Sequence, residues 1–284
     1  HSIGTFYMTS LFVKKLQSVS PNYEYYVNIY NKKIILNEHY SSCIEIAGLL
    51  HDVGHGPYGH FFDDIILRDY EGPNKTHEER SSKILNIIIN KYLPNKYSNL
   101  DIEFMKSLIN PQKNDTGILY QIVANKVNGI DTDKLDYLSR DAQYTCGTKF
   151  FNPIRIVNSI IIKNDEICFK ESVLEDLNGL YAMRKSMHRK VYGHSTVKLI
   201  ERMYYDIYRN LKSEFNFENY LDDMNKFLEL NDNTMFNYIS FTKLSMISSQ
   251  EIKKNSSPDI TKIIINETNN DGPSYVYIPK EFTY

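Results

Sequence analysis

The sequence predicts a mainly α-helical bundle with one or two small β-hairpins. Apolar residues recur three or four positions apart over most of the chain, which is the spacing of one helix face. Capping residues stand just before several of these stretches, and strand-like apolar runs are few and short. Of the 284 residues, 42% are hydrophobic, which is enough to bury a sizeable core.

The first two helices are predicted on either side of a polar stretch. Residues 1–16 carry apolar side chains at helical spacing, and His1 begins that helix. Residues 37–50 form the second helix, with Asn37 as its cap. The tyrosine-rich residues 20–33 between them are interpreted as a loop or an insertion.

Later helices have recognisable starts. Thr76 caps a helix that ends before Pro94, and Asp131 caps another. Ser172 opens a long helix that is predicted to run to residue 212. The remaining predicted elements are helices at residues 118–125 and 218–252 and hairpins at residues 156–170 and 260–278.

These elements are assigned to two regions. Residues 1–213 form the predicted core, and residues 214–284 form a C-terminal helical extension with a hairpin, packed on that core. Because the chain begins at His1 without a methionine, we expect it to be a fragment of a longer protein.

Charge and cysteine content exclude several classes of protein. A formal net charge of −2 gives no overall attraction to nucleic acid or to an anionic membrane, so phosphate binding would need a local cationic cluster. No apolar run approaches the roughly 20 residues of a membrane span. The three cysteines form no CxxC pattern, which predicts neither a disulfide framework nor a thiolate zinc site and fits an intracellular location, in cytoplasm or nucleus.

The densest polar stretch is H-D-V-G-H-G-P-Y-G-H, residues 51–60. His51 and Asp52 stand at the end of the second predicted helix, and the glycines and Pro57 stop that helix. One interpretation is that the histidines cap a buried helix end and the glycines form a turn. Three histidines and an aspartate in ten residues favour instead a site that binds a metal or moves a proton, since buried polar groups need partners.

Two other predicted helices carry polar groups in register. The helix after Asp131 places an acid, a base and a phenol on one face, which is either a cleft wall or a solvated surface. The long helix carries a basic stripe at spacings of four, which is either a phosphate-binding cluster or a charged solvent face. The residues concerned are Asp133, Lys134, Tyr137 and Asp141 on the first helix and Arg184, His188 and Tyr192 on the second.

The residue types in these stretches are typical of a hydrolytic metal centre. Two neutral imidazoles and two carboxylates neutralise a divalent cation and leave positions open for water, as in sites for Zn, Mn, Fe, Co, Ni or Mg. His51, Asp52 and one acid of residues 131–133 are the obvious donors, and spacing alone leaves the fourth open. His77 and Glu78 fall in the first turn of a helix, where free N–H groups favour phosphate.

The order of these motifs resembles the HD-domain phosphohydrolases, and implies an HD-domain helical bundle. Within that superfamily the chain is most similar to deoxynucleoside triphosphate (dNTP) triphosphohydrolases that combine a sterile-alpha-motif with an HD domain. The resemblance covers roughly residues 1–240 and implies hydrolysis of a dNTP to a deoxynucleoside and triphosphate by a homo-oligomer, a dimer or tetramer, under an activating nucleotide. The matching motifs are H-S-I-G at His1, A-G-L-L-H-D-V-G-H-G-P-Y-G-H, T-H-E, N-G-I-D-T-D-K-L-D-Y and R-K-S-M-H-R-K-V-Y.

The resemblance also implies residue roles. One divalent or transition metal ion would be held, with a second Mg²⁺ accompanying the substrate. His55 and His77 would contact the reacting α-phosphate, Glu78 would orient His77, and His60 paired with Asp63 would donate a proton to the leaving ribose oxygen. The implied metal ligands are His1, His51, Asp52 and Asp133, and the implied substrate-binding residues are Lys134, Tyr137, Asp141, Arg184, His188 and Tyr192.

The chain departs from that pattern in places. Gly193 stands where the family has a glutamine, which leaves one sugar or phosphate contact open. Of the basic residues that bind the activating nucleotide in the family, Arg155 is retained, whereas Lys170 replaces an arginine and Ser172 a lysine. Nucleotide-driven assembly is therefore left open.

Two other functions are kept as alternatives. One is an HD phosphohydrolase of other nucleotides, such as monophosphates or cyclic species, which release of triphosphate would exclude. The other is a protein that binds nucleotides or single-stranded nucleic acid without turnover. Its signature would be a broken metal set, whereas all four candidate ligands are present here.

Overall fold

In the computed structural model, the N-terminal residues form two helices joined by a β-hairpin. Helix α1 (Ser2–Val19) follows His1 directly, and α2 (Glu38–Leu50) begins after Asn37, whose side chain accepts the N–H of Tyr40 at 3.0 Å. Both predicted helices are confirmed. The cap arises because an asparagine oxygen satisfies a first-turn N–H that has no partner within the helix.

The prediction of a loop over residues 20–33 was wrong. Strands β1 (Glu24–Val27) and β2 (Lys32–Ile35) pair there as an antiparallel hairpin, with Tyr25 opposite Ile34. Along β1 every second side chain is buried, which is the period of a strand. Four residues are too few for this alternation to stand out against polar neighbours.

The structure describes residues 1–147, 150–164, 166–212 and 216–234. The hairpin predicted at residues 260–278 and most of the predicted C-terminal extension lie outside the described residues. One compact unit spans His1–Asp232, and a division after residue 213 stays a prediction. No helix among the described residues is long and apolar enough to cross a bilayer.

Helices predominate in the rest of the fold, and the mainly α-helical class is confirmed. A second antiparallel hairpin pairs β3 (Ile160–Lys163) with β4 (Glu166–Phe169), as predicted, although residues 156–158 at the start of the predicted hairpin are helical. The remaining elements are α3 (His77–Tyr92), α4 (Asn99–Ile109), α5 (Thr132–Thr145), α6 (Pro153–Asn158), α7 (Leu174–Met187), α8 (Ser195–Leu211) and α9 (Met224–Phe227).

The long helix predicted from Ser172 to residue 212 is in fact two helices. Helix α7 ends at Met187, and a single wide turn over His188–Tyr192 closes where the Gly193 N–H donates to the His188 carbonyl at 2.8 Å. A Cβ at Gly193 would lie only 2.7 Å from that oxygen, so glycine permits the turn. The helix predicted over residues 118–125 is also shorter, since only Ile118–Gln121 form a 3₁₀ turn there. Of the helix predicted over residues 218–252, the described part contains a 3₁₀ turn (Phe217–Tyr220) and α9, and the rest lies outside the described residues.

One close contact sets the spacing of three helices. Gly48 of α2 faces Thr9 of α1 so closely that a Cβ on Gly48 would overlap the threonine hydroxyl. That hydroxyl lies 2.9 Å from the hydroxyl of Thr132 at the start of α5, and both threonines are fully buried. The middle of α1, the start of α5 and the end of α2 are thereby drawn together. The core around this contact is apolar and includes Phe12, Leu16, Ile44, Leu50, Leu135 and Leu138.

Substituting Gly48→Ala should therefore lower the free energy of unfolding by about 1–3 kcal/mol, because an added methyl overpacks a closed contact. Urea denaturation measures the change. Glu45→Ala, on a partly exposed position of the same helix, is the control and should change stability by less than about 0.5 kcal/mol. If Gly48→Ala instead stabilised the protein, as expected at an exposed helical site, the contact would not limit the helix spacing.

Candidate active site

Four side chains from three separate elements converge at one corner of the fold. His1 precedes α1, His51 and Asp52 follow the last turn of α2, and Asp133 lies in the first turn of α5. One nitrogen or oxygen atom of each lies within 4.8 Å of one from every other. The structure thus joins residues that are up to 132 positions apart in sequence.

The donor distances fit a single cation. His1 Nε2 lies 3.0 Å from Asp133 Oδ1 and 3.4 Å from Asp52 Oδ2, and His51 Nε2 lies 3.3 Å from each of these oxygens. Ligands about 2.1 Å from one ion are separated by about 3.0–3.4 Å when the angles between them are 90–109°. The four groups, two imidazoles and two carboxylates, therefore have both the chemistry and the spacing of a metal-ligand set.

The two imidazoles are held so that Nε2 points to the corner. The Nδ1–H of His51 donates to the Gly48 carbonyl at 2.9 Å, which leaves Nε2 as the nitrogen with a free lone pair. Nδ1 of His1 contacts Asp136 Oδ2 at 2.9 Å, and Arg140 donates twice to the same carboxylate, at 2.9 and 3.0 Å. Outer contacts of this kind orient metal-binding histidines.

Electrostatics at the corner favours added positive charge. Burial disfavours the charged form of His1, but hydrogen bonds with three carboxylates outweigh it and raise its pKa to about 11. For His51, burial is likewise outweighed by Asp133 and Asp52, and its pKa rises to about 10. The same contacts overcome burial to lower the pKa of Asp133 to about 2 and that of Asp52 well below its usual range. Two ionised acids here require cationic partners, and a divalent metal meets that need as well as two protons do.

A second cluster lies beside the first. The rings of His55 and His77 are stacked with centroids 4.0 Å apart, and His60 packs edge-on against both, at 5.0 and 5.7 Å. His77 Nδ1 lies 3.0 Å from Asp63 Oδ2, and His77 Nε2 lies 3.5 Å from Glu78 Oε1, as expected if Glu78 orients His77. His55 Nε2 lies 3.7 Å from Asp52, which places this cluster directly against the metal-ligand set.

The implied pairing of His60 with Asp63 is not found. Among the described residues, the Asp63 carboxylate contacts His77, His55 and Arg80. Burial opposes ionisation of Asp63, but these three partners hold its pKa well below the usual range. The Asp63 carboxylate points inward to the buried Arg80, whereas His60 lies on the exposed side of the turn. The two side chains therefore do not pair.

Arg80 is the support of this cluster. It is 0% exposed, and its guanidinium pairs with Asp63 while donating to three backbone carbonyls, those of Gly54 at 2.7 Å, Asn74 at 2.8 Å and Lys75 at 2.6 Å. The rings of Phe62 and Phe227 pack against the guanidinium, with centroids 5.4 and 5.2 Å from its Cζ. The five-donor fork of arginine suits this simultaneous contact with several acceptors.

The residues implied to bind substrate lie around the same corner. The Tyr137 ring is 6.2 Å from His1 and 6.3 Å from Tyr192, and the Tyr192 hydroxyl donates to Asp141 Oδ2 at 2.6 Å. His188 packs against Tyr192, and burial together with the Arg184 charge lowers its pKa. The cationic end of α7 therefore stands beside the polar face of α5.

Two of the residues predicted to bind nucleotides already pair with other groups of the protein. Lys134 Nζ lies 2.7 Å from Asp131 Oδ2, and this buried aspartate also accepts the backbone N–H of Asn125 at 3.0 Å. Arg155 lies on α6, where it pairs with Asp176 at 3.1 Å and donates to the Ser172 carbonyl at 2.9 Å. Its side chain is 60% exposed, so part of the guanidinium remains open to solvent.

Comparison with known proteins identifies the domain that carries this site. Residues 1–103 match the HD domain family, and they include His1, His51 and Asp52. Residues 1–103 belong to the HD domain family. Asp133 and α7 lie beyond the matched residues, so part of the site is built by the sequence that follows.

The relatives of this HD-domain chain extend over most of its length. An HD domain-containing protein of Acanthamoeba polyphaga mimivirus is 42% identical over 244 residues, which cover 85% of this chain and 53% of that protein. The deoxynucleoside triphosphate triphosphohydrolase SAMHD1 homolog of Dictyostelium discoideum is 31% identical over 90% of this chain and 48% of its own length. SAMHD1 of Homo sapiens is 27% identical over 89% and 45%. The chain thus spans about half the length of the relatives it matches.

Sequence reasoning missed two residues of the HD-domain site. Asp136 lies three positions after Asp133, on the same helix face, so helical spacing could have found it. Arg80 gave no such signal, because burial is what separates it from the other charged residues nearby, and burial is decided by the fold.

Replacing Arg80 with methionine should reduce the free energy of unfolding by about 3–5 kcal/mol, because the ionised Asp63 would be left buried without its partner. Chemical denaturation checks this. Arg68→Met is the matched control on the exposed side of the same region and should cost less than about 1 kcal/mol. A double variant, Arg80→Met with Asp63→Asn, should recover part of the loss, since it removes the unpaired charge. Equal stability of Arg80→Met and Arg68→Met would contradict the supporting role of Arg80.

Proposed function

We propose that this HD domain is a metal-dependent dNTP triphosphohydrolase, which converts a dNTP and water to a deoxynucleoside and inorganic triphosphate. The observation that carries the proposal is the convergence of His1, His51, Asp52 and Asp133 beside a histidine cluster and a cationic helix end. Its relatives in Dictyostelium discoideum and Homo sapiens are named as enzymes of that reaction. A metal site, a proton-transfer cluster and a phosphate-binding surface side by side are the parts that such a hydrolysis needs.

The four-residue set would hold a divalent or transition metal ion, and Zn, Mn, Fe, Co, Ni and Mg all accept these donors. When bound, the ion would supply Lewis acidity, activating a water molecule and neutralising charge on the α-phosphate. Asp136 would keep the His1 ring in place, and the Gly48 carbonyl would do so for His51. A second Mg²⁺ would arrive with the triphosphate of the substrate.

His55 and His77 would bind the reacting α-phosphate. Their stacked rings lie against Asp52, and Asp63 and Glu78 stabilise positive charge on His77, whose pKa is raised by these contacts despite burial. A protonated imidazole beside the phosphorus would offset the negative charge that develops as water attacks. Arg80 and Asp63 act through these histidines and do not face the substrate.

His60 would supply the proton that the leaving group needs. Cleavage of the bond between the α-phosphorus and the 5′ oxygen leaves negative charge on that oxygen, and a proton from an imidazole completes the deoxynucleoside. His60 is the exposed member of the three-histidine cluster, so it is the one that a ribose can reach. Its ring edge contacts His55 and His77, which keeps it next to the reacting phosphate.

The remaining parts of the substrate would lie along α5 and α7. Arg184 and His188 would take phosphate oxygens, because burial and the nearby Arg184 charge lower the pKa of His188, and a phosphate would offset that positive charge. Tyr137 and Tyr192 would pack against the sugar, with Asp141 fixing the Tyr192 hydroxyl. Lys134 would bind phosphate while it keeps its contact with Asp131.

We also propose that the protein assembles into a dimer or tetramer and that an activating nucleotide controls its activity. Arg155 would contribute to an activating-nucleotide site in a dimer or tetramer, using the exposed part of its guanidinium. An intracellular location, in cytoplasm or nucleus, is proposed because the dNTP substrates are found there. A hydrolase of other nucleotides would share the metal set but release no triphosphate.

Asp133→Ala should abolish metal binding and hydrolysis together, because it removes the carboxylate that contacts both histidines. We expect the metal affinity to fall by more than about 100-fold, since loss of a residue that only supports a metal ligand already lowers the affinity by about 10–100-fold. The measurements are metal analysis of the purified chain and release of inorganic triphosphate from each dNTP, with several metals and with or without GTP. Asp69→Ala, on an exposed turn, is the control. Normal turnover by Asp133→Ala would reject the assignment.

His60→Gln should keep its metal and lose turnover by about 10²–10⁴-fold, the contribution of a general acid. The thermal midpoint should stay unchanged because the His60 side chain is exposed. Single-turnover kinetics with a dNTP, alongside metal content, separates the two effects. An unchanged rate would remove His60 from proton donation, and loss of metal would place it in the metal set instead.

A further inference from the structure

A third group of potential ligands lies away from the HD-domain site, at the other end of α2. His39 and Cys43 are four residues apart on that helix, so they share one face, and Asp101 reaches them from the first turn of α4. One donor atom of each lies within 4.8 Å of the other two. None of the three is used by the proposed hydrolysis.

We propose that His39, Cys43 and Asp101 bind a zinc ion. Thiolate, imidazole and carboxylate are the three ligand types that zinc combines in proteins, and magnesium or calcium would not select the sulfur. His39 Nε2 lies 3.1 Å from Asp101 Oδ1. Two ligands about 2.0–2.1 Å from a tetrahedral zinc are separated by about 3.3 Å, so this pair already has the spacing of one edge of the site.

The carboxylate is prepared for this role by its neighbours. Oδ2 of Asp101 accepts the backbone N–H and the hydroxyl of Ser98, at 2.8 and 2.7 Å, and Oδ1 accepts the Tyr30 hydroxyl at 2.5 Å. A carboxylate oxygen has two acceptor directions, so Oδ1 keeps one for a metal where it now contacts His39. Carboxylates that bind metals are commonly held in place by outer hydrogen bonds of this kind.

The three side chains differ in their exposure to solvent, as expected of a partly open metal site. Cys43 is 0% and Asp101 6% exposed, whereas the His39 side chain is 43% exposed. The ion could therefore enter from the His39 side, and water would complete its four ligands there. The Tyr40 and Tyr97 rings pack on His39 at 5.3 and 5.8 Å and limit the directions its ring can take.

Binding would release protons in a balanced way. The Cys43 thiol would lose its proton to solvent as the thiolate bonds to zinc, and the neutral imidazole of His39 would carry its remaining proton on Nδ1. No redox change is involved. The bound ion would join the start of α2 to α4, whereas the HD-domain ligands stand at the opposite end of α2.

The hydrogen bonds of Asp101 also serve a structural purpose, since Ser98 and Asp101 form the capping box of α4. That purpose explains the contacts of Oδ2. It does not explain why a thiol and an imidazole on the adjacent helix converge on the same carboxylate. A sulfur-specific measurement separates the two roles.

The experiment titrates the full chain, freed of metal and kept reduced, with Co²⁺ and records the near-ultraviolet absorption of a thiolate–cobalt bond. The HD-domain set contains only nitrogen and oxygen donors, so it contributes nothing to this signal. Because the HD-domain set also accepts Co²⁺, we expect the band to saturate by two equivalents of Co²⁺ per chain, with an intensity of one thiolate–cobalt bond, and Zn²⁺ to remove it. Cys43→Ser should lose the band entirely, and His39→Asn should weaken Co²⁺ binding at this site by more than about 10-fold.

The chain supplies its own controls. Cys146→Ser and Cys168→Ser, at the other two cysteines, should keep the band unchanged. His39→Asn alters a partly exposed side chain, so its result stands even if Cys43→Ser fails to fold. Absence of the band in the unaltered chain, or its persistence in Cys43→Ser, would overturn the proposal, as would its loss in either control. The outcome is independent of dNTP hydrolysis, which is measured by triphosphate release.

Discussion

The need to balance two partly buried carboxylates governs the HD-domain site. Asp52 follows α2 and Asp133 begins α5, their carboxylate oxygens lie within 4.8 Å of each other, and each side chain is 25% exposed. Like charges at such a distance are tolerated only with positive charge between them, and both imidazoles are drawn in for that reason. A divalent cation satisfies the same four groups with shorter bonds, so the fold positions acids whose mutual repulsion favours metal binding.

Close packing makes that arrangement possible. Gly48 removes the side chain that would separate α1 from α2, and the hydroxyls of Thr9 and Thr132 join α1 to α5. All three helices deliver their ligands from an end: His1 precedes α1, His51 and Asp52 follow α2, and Asp133 begins α5. Helix ends leave backbone groups unpaired and side chains free to converge, which a helix middle does not allow.

Charge is handled differently in the neighbouring histidine cluster. There a buried guanidinium, Arg80, neutralises Asp63, and the same group ties the glycine-containing turn after α2 to the start of α3. The cation is covalently part of the chain, so its charge is present whether or not a metal is bound next to it. Helix α2 therefore connects three groups of side chains. The Arg80 guanidinium and the metal-ligand set lie at its C-terminal end, and the thiol–imidazole–carboxylate group lies at its N-terminal end.

The sequence by itself determined the helical class, the starts of the helices and the main donors of the site. Asn37, Thr76 and Asp131 cap helices through local hydrogen bonds, and the H-D-V-G-H stretch is contiguous, so these features depend on near neighbours alone. Tertiary structure decided what spacing cannot show. It joined His1 to Asp133 and directed Asp63 to Arg80 rather than His60. These outcomes depend on burial and on contacts between distant segments, which fix the partner of a charged group only once the chain is packed.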